Sequence, residues 1–208
     1  MELTSQAITD GEGIPETYAM GVEDPDDHAT FGANKNPDIS WSDLPEGTES
    51  LALIVHDPDV PSRPDDVNQE GTTVPADLDR IDYYHWVLVD IDPDGSIEEG
   101  QFSDGVTAGG EDAAEGPDGT RQGLNDYTNW FEGDPDMEGE YYGYDGPFPP
   151  WNDEIVHHYH FTLYALDVEE APVDGKFDGS EAREAIEPHV LDRARITGLY
   201  SLNPDVDY

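Results

Sequence analysis

Residues 141–167 read YYGYDGPFPPWNDEIVHHYHFTLYALD, and the rest of the chain is organised around them. The first half is governed by backbone. Gly143 and Gly146 permit positive φ or a close backbone approach, while Pro147, Pro149 and Pro150 fix φ and remove donors. So stiff a turn can hold peptide groups in one arrangement around a ligand. The second half is a strand. With a period of two, His157, Tyr159, Phe161, Leu163 and Ala165 share one face, and His158, His160, Thr162, Tyr164 and Leu166 share the other. Both faces turn apolar toward the C-terminal end, which places that end in a core. The strand thus carries two polar rings, His157 and Tyr159, from a rigid loop into the interior. A histidine at the wet end of a core strand often has no further role; the loop beside it is what points to a site.

Working outward, residues 51–56 (LALIVH) are apolar on both faces and predict a buried strand. It ends in a charged, proline-stiffened loop, Asp57-Pro58-Asp59-Val60-Pro61, which continues as polar chain to about Arg80. Residues 81–91 predict the next strand. Ile81, Tyr83, His85, Val87, Val89 and Ile91 alternate there with Asp82, Tyr84, Trp86, Leu88 and Asp90. His85 sits among aromatics, either as a core histidine donating to a carbonyl or as a ligand-binding ring held neutral by burial. From 92 to 140 no period is visible, and a loop of that length is often functional or an insertion. Its acidic run 111–115 reads as solvated surface, whereas 121–127 (RQGLNDY) is more specific.

Near the N-terminus, residues 2–8 read as an edge strand and 11–36 as loops and short strands. The tail reads as helical. Asp178 caps, Glu181 completes a capping box, and Phe177 is placed to staple against Ala182. A second helix is expected from Pro188, with Val190, Leu191 and Ala194 on its apolar face and Gly198 ending it.

The 208 residues suit one domain, 1–208. Against 8 Lys plus Arg stand 50 Asp plus Glu, a formal charge of -42. Such chains are often disordered, but 35% hydrophobic residues falling in strand-like runs argue for a folded domain with an acidic skin. Molar salt shortens the Debye length to about 3 Å and would quiet the repulsion, so a halophilic, salt-loaded cytoplasm is expected; a cationic partner is the alternative. With no basic footprint, nucleic acid is excluded as a partner. There is no cysteine, hence no disulfide or thiol chemistry. The first ten residues lack a charged n-region and an apolar core, and no apolar run reaches membrane-span length. A cytoplasmic protein without integral membrane contact is therefore expected.

Taken in order, Asp57-Pro58-Asp59-Val60-Pro61, His85-Trp86-Val87-Leu88, residues 143–150, and His157-His158-Tyr159 leading into FTLYALD resemble the phosphatidylethanolamine-binding protein family. Ser40-Trp41, Pro45-Glu46-Gly47-Thr48 with LALIV, and the terminal ITGLYS are similar to its microbial, Raf kinase inhibitor-like branch. The likeness spans nearly the whole chain. It implies a mostly β fold, an antiparallel Greek-key β-sandwich with a C-terminal helical segment. It also implies a small anion pocket of Asp57, His85, His157 and Tyr159, walled by the Gly146-Pro147 backbone. Asp59 and Pro61 belong to the same motif, and Tyr83 stands where relatives often have Trp. The chain departs from the pattern at Phe148, where microbial relatives often have Cys, and at His158, in place of a common Arg. The longer segment 128–142 is a candidate lid or homodimer contact.

One carboxylate, two imidazoles and a phenol admit three chemistries. The leading reading is a binding or regulatory module, not an enzyme. Its ligand would be a small anion or zwitterion such as phosphate or a phospholipid head group, with a protein partner in a kinase or protease inhibitor-like role. Anion affinity should then fall as pH rises through the histidine range. The alternative is a hydrolase of small esters or phosphoesters using His and Asp as acid and base, although no serine or cysteine stands at a recognised nucleophile motif. A metal site has legitimate ligand types but no local spacing motif, so neither metal nor cofactor is predicted.

Overall fold

The computed structural model describes residues 1–111 and 113–208. In chain order the strands are β1 (Glu2–Thr4), β2 (Gly21–Asp24), β3 (His28–Phe31), β4 (Ser40–Ser42), β5 (Ser50–Pro61), β6 (Arg80–Ile91), β7 (Arg121–Gln122), β8 (His157–Leu166) and β9 (Val190–Tyr200). Two α-helices accompany them, α1 (Tyr127–Trp130) and α2 (Gly179–Ile186). The fold is mostly β with a short C-terminal helix, as expected. The main sheet is antiparallel, in the order β7-β6-β5-β8-β9.

β5 is central because LALIV is apolar on both faces. Leu51, Leu53 and Val55 join one core with Trp86, Leu88, Phe161 and Leu163, and the small sheets β1–β4 and β2–β3 help cover it through Leu3, Val22, Ala29 and Trp41. Ala52 and Ile54 join the opposite core with Val87, Val89 and Tyr164, closed by Phe177, Ala182 and Ile186. Burying each of the larger aliphatic side chains stabilises by roughly 1.5–3 kcal/mol. Asp178 caps α2 as the spacing predicts: its side chain accepts from the Glu181 backbone N–H, and the Glu181 side chain answers the Asp178 N–H.

Three expectations are corrected. The second helix is a strand. Only Glu187–His189 turns helically, as 3-10, and Val190–Tyr200 pairs with β8 along its length. The apolar spacing of Val190, Leu191 and Ala194 competes with a period-two set, Ile196, Gly198 and Tyr200, which are buried while Arg193 and Arg195 are exposed. Sheet pairing decides between them. The Asp57–Pro61 motif is not a loop but the last part of β5, with an extra residue on β5 between the Asp57↔Tyr83 and Val60↔Ile81 pairs. Strict alternation also fails in β6. Val55 pairs with Trp86 and His56 with Tyr84, so His85 is the extra residue of a bulge. The bulge turns His85 and Trp86 toward the same core, where uninterrupted pleating would set them on opposite faces.

Residues 92–140 hold little regular structure but are pinned. Asn36 Oδ1 accepts from the N–H groups of Phe102 and Ser103 at 2.7 and 3.1 Å, and Trp86 Nε1 donates to Gln122 Oε1 at 3.2 Å. In the acidic run Glu115 is exposed, and Asp112 lies outside the described residues.

Candidate ligand-binding cleft

The ends of β5, β6 and β8 open into a cleft of about 460 Å³, closed by residues 62–68, 126–130 and 148–150. Six of the nine sequence-predicted residues line it: Asp57, Pro61, Tyr83, His85, His157 and Tyr159. Asp57 and Tyr83 are direct partners across β5 and β6, and the bulge brings His85 beside Tyr159, with ring centroids 5.1 Å apart.

The other three stand elsewhere. Asp59 Oδ2 is taken by the backbone N–H (2.9 Å) and Nδ1 (2.8 Å) of His158, on the far side of β8. The difference between His158 and the arginine of relatives therefore lies away from the cleft. Gly146 and Pro147 are supports behind the wall, which consists of Phe148, Pro149 and Pro150. Gly146 N donates to Asn34 Oδ1 at 2.8 Å, its carbonyl accepts from the Tyr127 hydroxyl at 2.9 Å, and a Cβ there would lie 2.1 Å from the Tyr18 carbonyl oxygen. Close approach explains this glycine, while Gly143 answers the other need, with φ +82°.

One end of the cleft floor is ionic. His157 Nδ1 hydrogen-bonds Asp57 Oδ2 at 2.6 Å, and its Nε2 hydrogen-bonds Asp153 Oδ2 at 3.2 Å. Asp153 in turn receives both Nη atoms of Arg80, at 2.6 and 3.0 Å. The His157 side chain is 0% exposed and that of Asp57 1%. Burial alone would depress the imidazole, but the Asp57 and Asp153 carboxylates outweigh it and raise His157 to about 9. Asp153 moves the other way: burial would raise it, but hydrogen bonds from His157 and Arg80 pull it below the ordinary carboxylate value.

The other end is neutral. His85 Nδ1 donates to the Asp145 carbonyl at 2.7 Å, and the Asp145 N–H returns a bond to the His85 carbonyl at 3.0 Å. Burial lowers the pKa of His85, so the imidazole is uncharged at neutral pH. The ring packs against Tyr83 (5.1 Å), Tyr127 (5.6 Å) and Tyr159 (5.1 Å). His85 Nε2 and the Tyr83 hydroxyl are buried without a hydrogen-bond partner. Behind them Asp145 is held by the amides of Asn34 (2.7 Å) and Asn125 (2.8 Å), and burial raises its carboxyl to about 6 against those bonds. The two cleft histidines thus do not share one titration range, contrary to the simple expectation for anion affinity.

Arg80, Asp153, Tyr127, Asp145, Asn34 and Asn125 were not singled out by the sequence. Two signals existed. Asp153 precedes His157 by four residues in the stiff loop, and Asp126 and Tyr127, both lining the cleft, close the specific piece 121–127. The long segment 128–142 gives the cleft Asn129 and Trp130. Among the described residues no group of three or more His, Cys, Asp or Glu is arranged to hold a metal ion.

The sequence profile described as phosphatidylethanolamine-binding protein matches residues 4–201. The chain belongs to the phosphatidylethanolamine-binding protein (PEBP) family. A UPF0098 protein of Methanothermobacter thermautotrophicus is 34% identical over 202 residues, covering 96% of this chain and 98% of that one. The crystal structure of Escherichia coli YbcL, described as a new member of the mammalian PEBP family, superposes with a TM-score of 0.68 at 26% identity, covering 96% of this chain and 97% of YbcL. In this PEBP-family chain no helix among the described residues is long and apolar enough to cross a membrane.

Proposed function

We propose that this PEBP-family chain is a small-ligand-binding regulatory protein whose site is the cleft floored by Asp57, Tyr83, His85, His157 and Tyr159. The observation that carries the reading is the pair of buried, unpartnered polar atoms, His85 Nε2 and the Tyr83 hydroxyl, on side chains that line an open cleft. Each such atom costs about 1–3 kcal/mol when left unsatisfied, a cost a ligand would relieve. A head-group-like ligand carrying phosphate finds polar groups at the mouth in Ser62, Arg63, Asn68 and Asn129. A protein partner, in the inhibitor-like role of the Raf kinase inhibitor-like branch, finds support in Ile81 and Trp130, which are 49% and 51% exposed beside the mouth.

The hydrolase alternative has one observation in its favour: His85 Nε2 is a free ring nitrogen in the cleft. Against it, no hydroxyl or thiol among the described residues hydrogen-bonds that nitrogen, and both nitrogens of His157 are engaged by carboxylates. Titration with phosphoethanolamine in molar KCl, followed by amide NMR, separates the readings. Saturable shifts confined to the cleft, with no turnover of p-nitrophenyl phosphate or acetate, are expected. Turnover abolished by His85→Ala would establish the enzyme instead.

The same reading places the chain in a salt-loaded cytoplasm. The charge of -42 leaves carboxylates far in excess of cations, and much of the basic complement is already committed, as in Arg80–Asp153, Arg121–Asp90, Arg183–Asp82 and Arg193–Glu187. Repulsion among the remaining carboxylates opposes compactness until salt screens it. The melting temperature should rise strongly between low and molar KCl at fixed pH; a flat profile would point to a cationic partner.

A further inference from the structure

We propose that the main sheet carries a second site, on the face turned away from the cleft, for a tetrahedral oxyanion with two negative charges, held by Arg195 with Arg183, His160 and His56 around it. The inference does not depend on what the cleft binds.

The first observation is a cation left over. Lys and Arg number 8 in this chain against 50 Asp plus Glu. Seven of them form an ion pair with a carboxylate. Among the described residues Arg195 forms none, although it is exposed on a surface rich in carboxylates. Its guanidinium is held all the same. Nε donates at 3.1 Å to Oγ1 of Thr162, which is buried in β8. That bond uses one of five N–H donors and leaves the Nη fork, whose planar spacing matches two oxygens of one anion.

The second observation is what stands around that fork. Sheet pairing sets the neighbours. Arg195 lies opposite Thr162, and two residues further along the strands Thr197, His160 and His56 lie side by side across β9, β8 and β5. On β8 this face alternates with the one that gives His157 and Tyr159 to the cleft. Arg183 comes from α2 with its guanidinium 5.6 Å from the Tyr84 ring, and Arg193 lies 5.7 Å from the Tyr164 ring. Three of the six arginines in the chain therefore gather on one face of β8. The ring of His56 packs against those of His160 (5.2 Å) and Tyr84 (6.0 Å). Its side chain is 6% exposed, and its Nδ1 is buried without a hydrogen-bond partner. An anion accepting from that ring, directly or through one water, would relieve the unmet bond.

Carboxylates do not fill the place. Asp82 from β6 is engaged by Arg183 (2.9 Å), Glu187 by Arg193 (3.1 Å), and Asp59 from β5 by His158 (2.8 Å). Asp10 accepts from the Thr197 N–H at 2.8 Å. Burial lowers His56 to about 4, with Asp82 opposing and His160, Arg183 and Arg195 assisting. Burial also lowers His160, assisted by Arg195 and His158 and opposed by Asp59 and Asp57. Both rings are thus neutral donors at pH 7. The Thr197 hydroxyl, 3.0 Å from His160 Nδ1, can donate to that atom and leave the proton on Nε2. A bound dianion favours the charged form of both rings, so affinity rises as pH falls.

The test adds sulfate, which does not titrate between pH 5 and 8, to the intact protein with ¹⁵N-labelled histidines, in KCl at constant ionic strength. His160→Gln assigns the resonance. Sulfate should shift His160 and His56 saturably and leave His85 and His157 in place. Arg195→Gln should cut the affinity by about tenfold, the loss of one charge-assisted fork, with the amide spectrum of the fold retained. Arg195→Lys, which keeps the charge without the fork, should restore only part of it. Affinity should be severalfold higher at pH 5 than at pH 8. Inorganic phosphate at pH 8 should bind as sulfate does, and acetate more weakly. Equal sulfate affinity in wild type and Arg195→Gln, shifts confined to His85 and His157, or no saturable shift at all would overturn the site. Acetate binding as tightly as sulfate would overturn the requirement for a dianion.

Discussion

The two histidines of the cleft floor lie in one pocket and differ in almost every physical respect. His157 is wedged between two carboxylates, the second tied to Arg80, and stays protonated up to about 9. His85 is wedged among three tyrosines, bonded to a carbonyl, and stays neutral. Both are almost fully buried, so burial alone does not fix the charge of an imidazole; the neighbours do. A chain network of alternating charge makes one end of the floor rigid and internally satisfied. The other end keeps two polar atoms unsatisfied, and unsatisfied atoms are where a ligand gains most.

The sharpest way to break the comparison is to cut the ionic end. Asp153→Ala removes the shared partner of Arg80 and His157, leaving buried His157 with Asp57 alone and Arg80 with only the backbone carbonyls of Asp59, Pro75 and Leu78. A loss of about 3–5 kcal/mol is expected, read as a large fall in the urea midpoint; a loss under 1 kcal/mol would show that the network is not structural. The alkaline limb comes next. Because the pKa of His157 is raised from 6.5 to about 9, its contribution is fully present below about pH 6.5 and disappears as pH rises through 9. It should amount to a few kcal/mol. Urea unfolding at pH 6.5, 8 and 10 should show this loss in wild type and not in His157→Gln.

Asp145 acts in the same direction over a more acid interval, although here it is the charged form that the fold disfavours. With its pKa raised from 3.8 to about 6, its ionisation costs stability that grows as pH climbs through that interval and is absent below it.

Smaller effects sharpen the neutral end. Gly146→Ala drives a Cβ into the Tyr18 carbonyl. It should cost about 1–3 kcal/mol and disturb Tyr127 and His85 in amide spectra more than His157. His85→Phe should cost least, about 0.5–1.5 kcal/mol, because it gives up one hydrogen bond, Nδ1 to Asp145, and no charge. A cost as large as that of Asp153→Ala would mean that His85 is structural.

Much of the fold was legible because period and hydrophobicity act locally. LALIV and FTLYAL read as buried strands and are strands, and the Asp178–Glu181 box marked the start of its helix. The C-terminal strand was not legible, since its helical and strand patterns coexist and the partner that chooses between them, β8, lies outside the segment. The site divides similarly. Asp57, Tyr83, His85, His157 and Tyr159 lie on strands whose apolar runs announce them. Arg80, Asp145, Asn34 and Asn125 are isolated polar residues whose partners lie tens of residues away. The bulge at His85 leaves no mark that distinguishes it from regular alternation, although it delivers the ring to the cleft.

The protonation of the two rings is measured most directly by ¹⁵N NMR of histidine-labelled protein from pH 5 to 10, with His85→Phe and His157→Gln assigning the resonances. At pH 7.5 His157 should show both nitrogens protonated and should lose its proton near 9, while His85 should show a protonated Nδ1 and a bare Nε2. A bare nitrogen on His157, or an imidazolium at His85, at that pH would contradict the division of the cleft into an ionic and a neutral end.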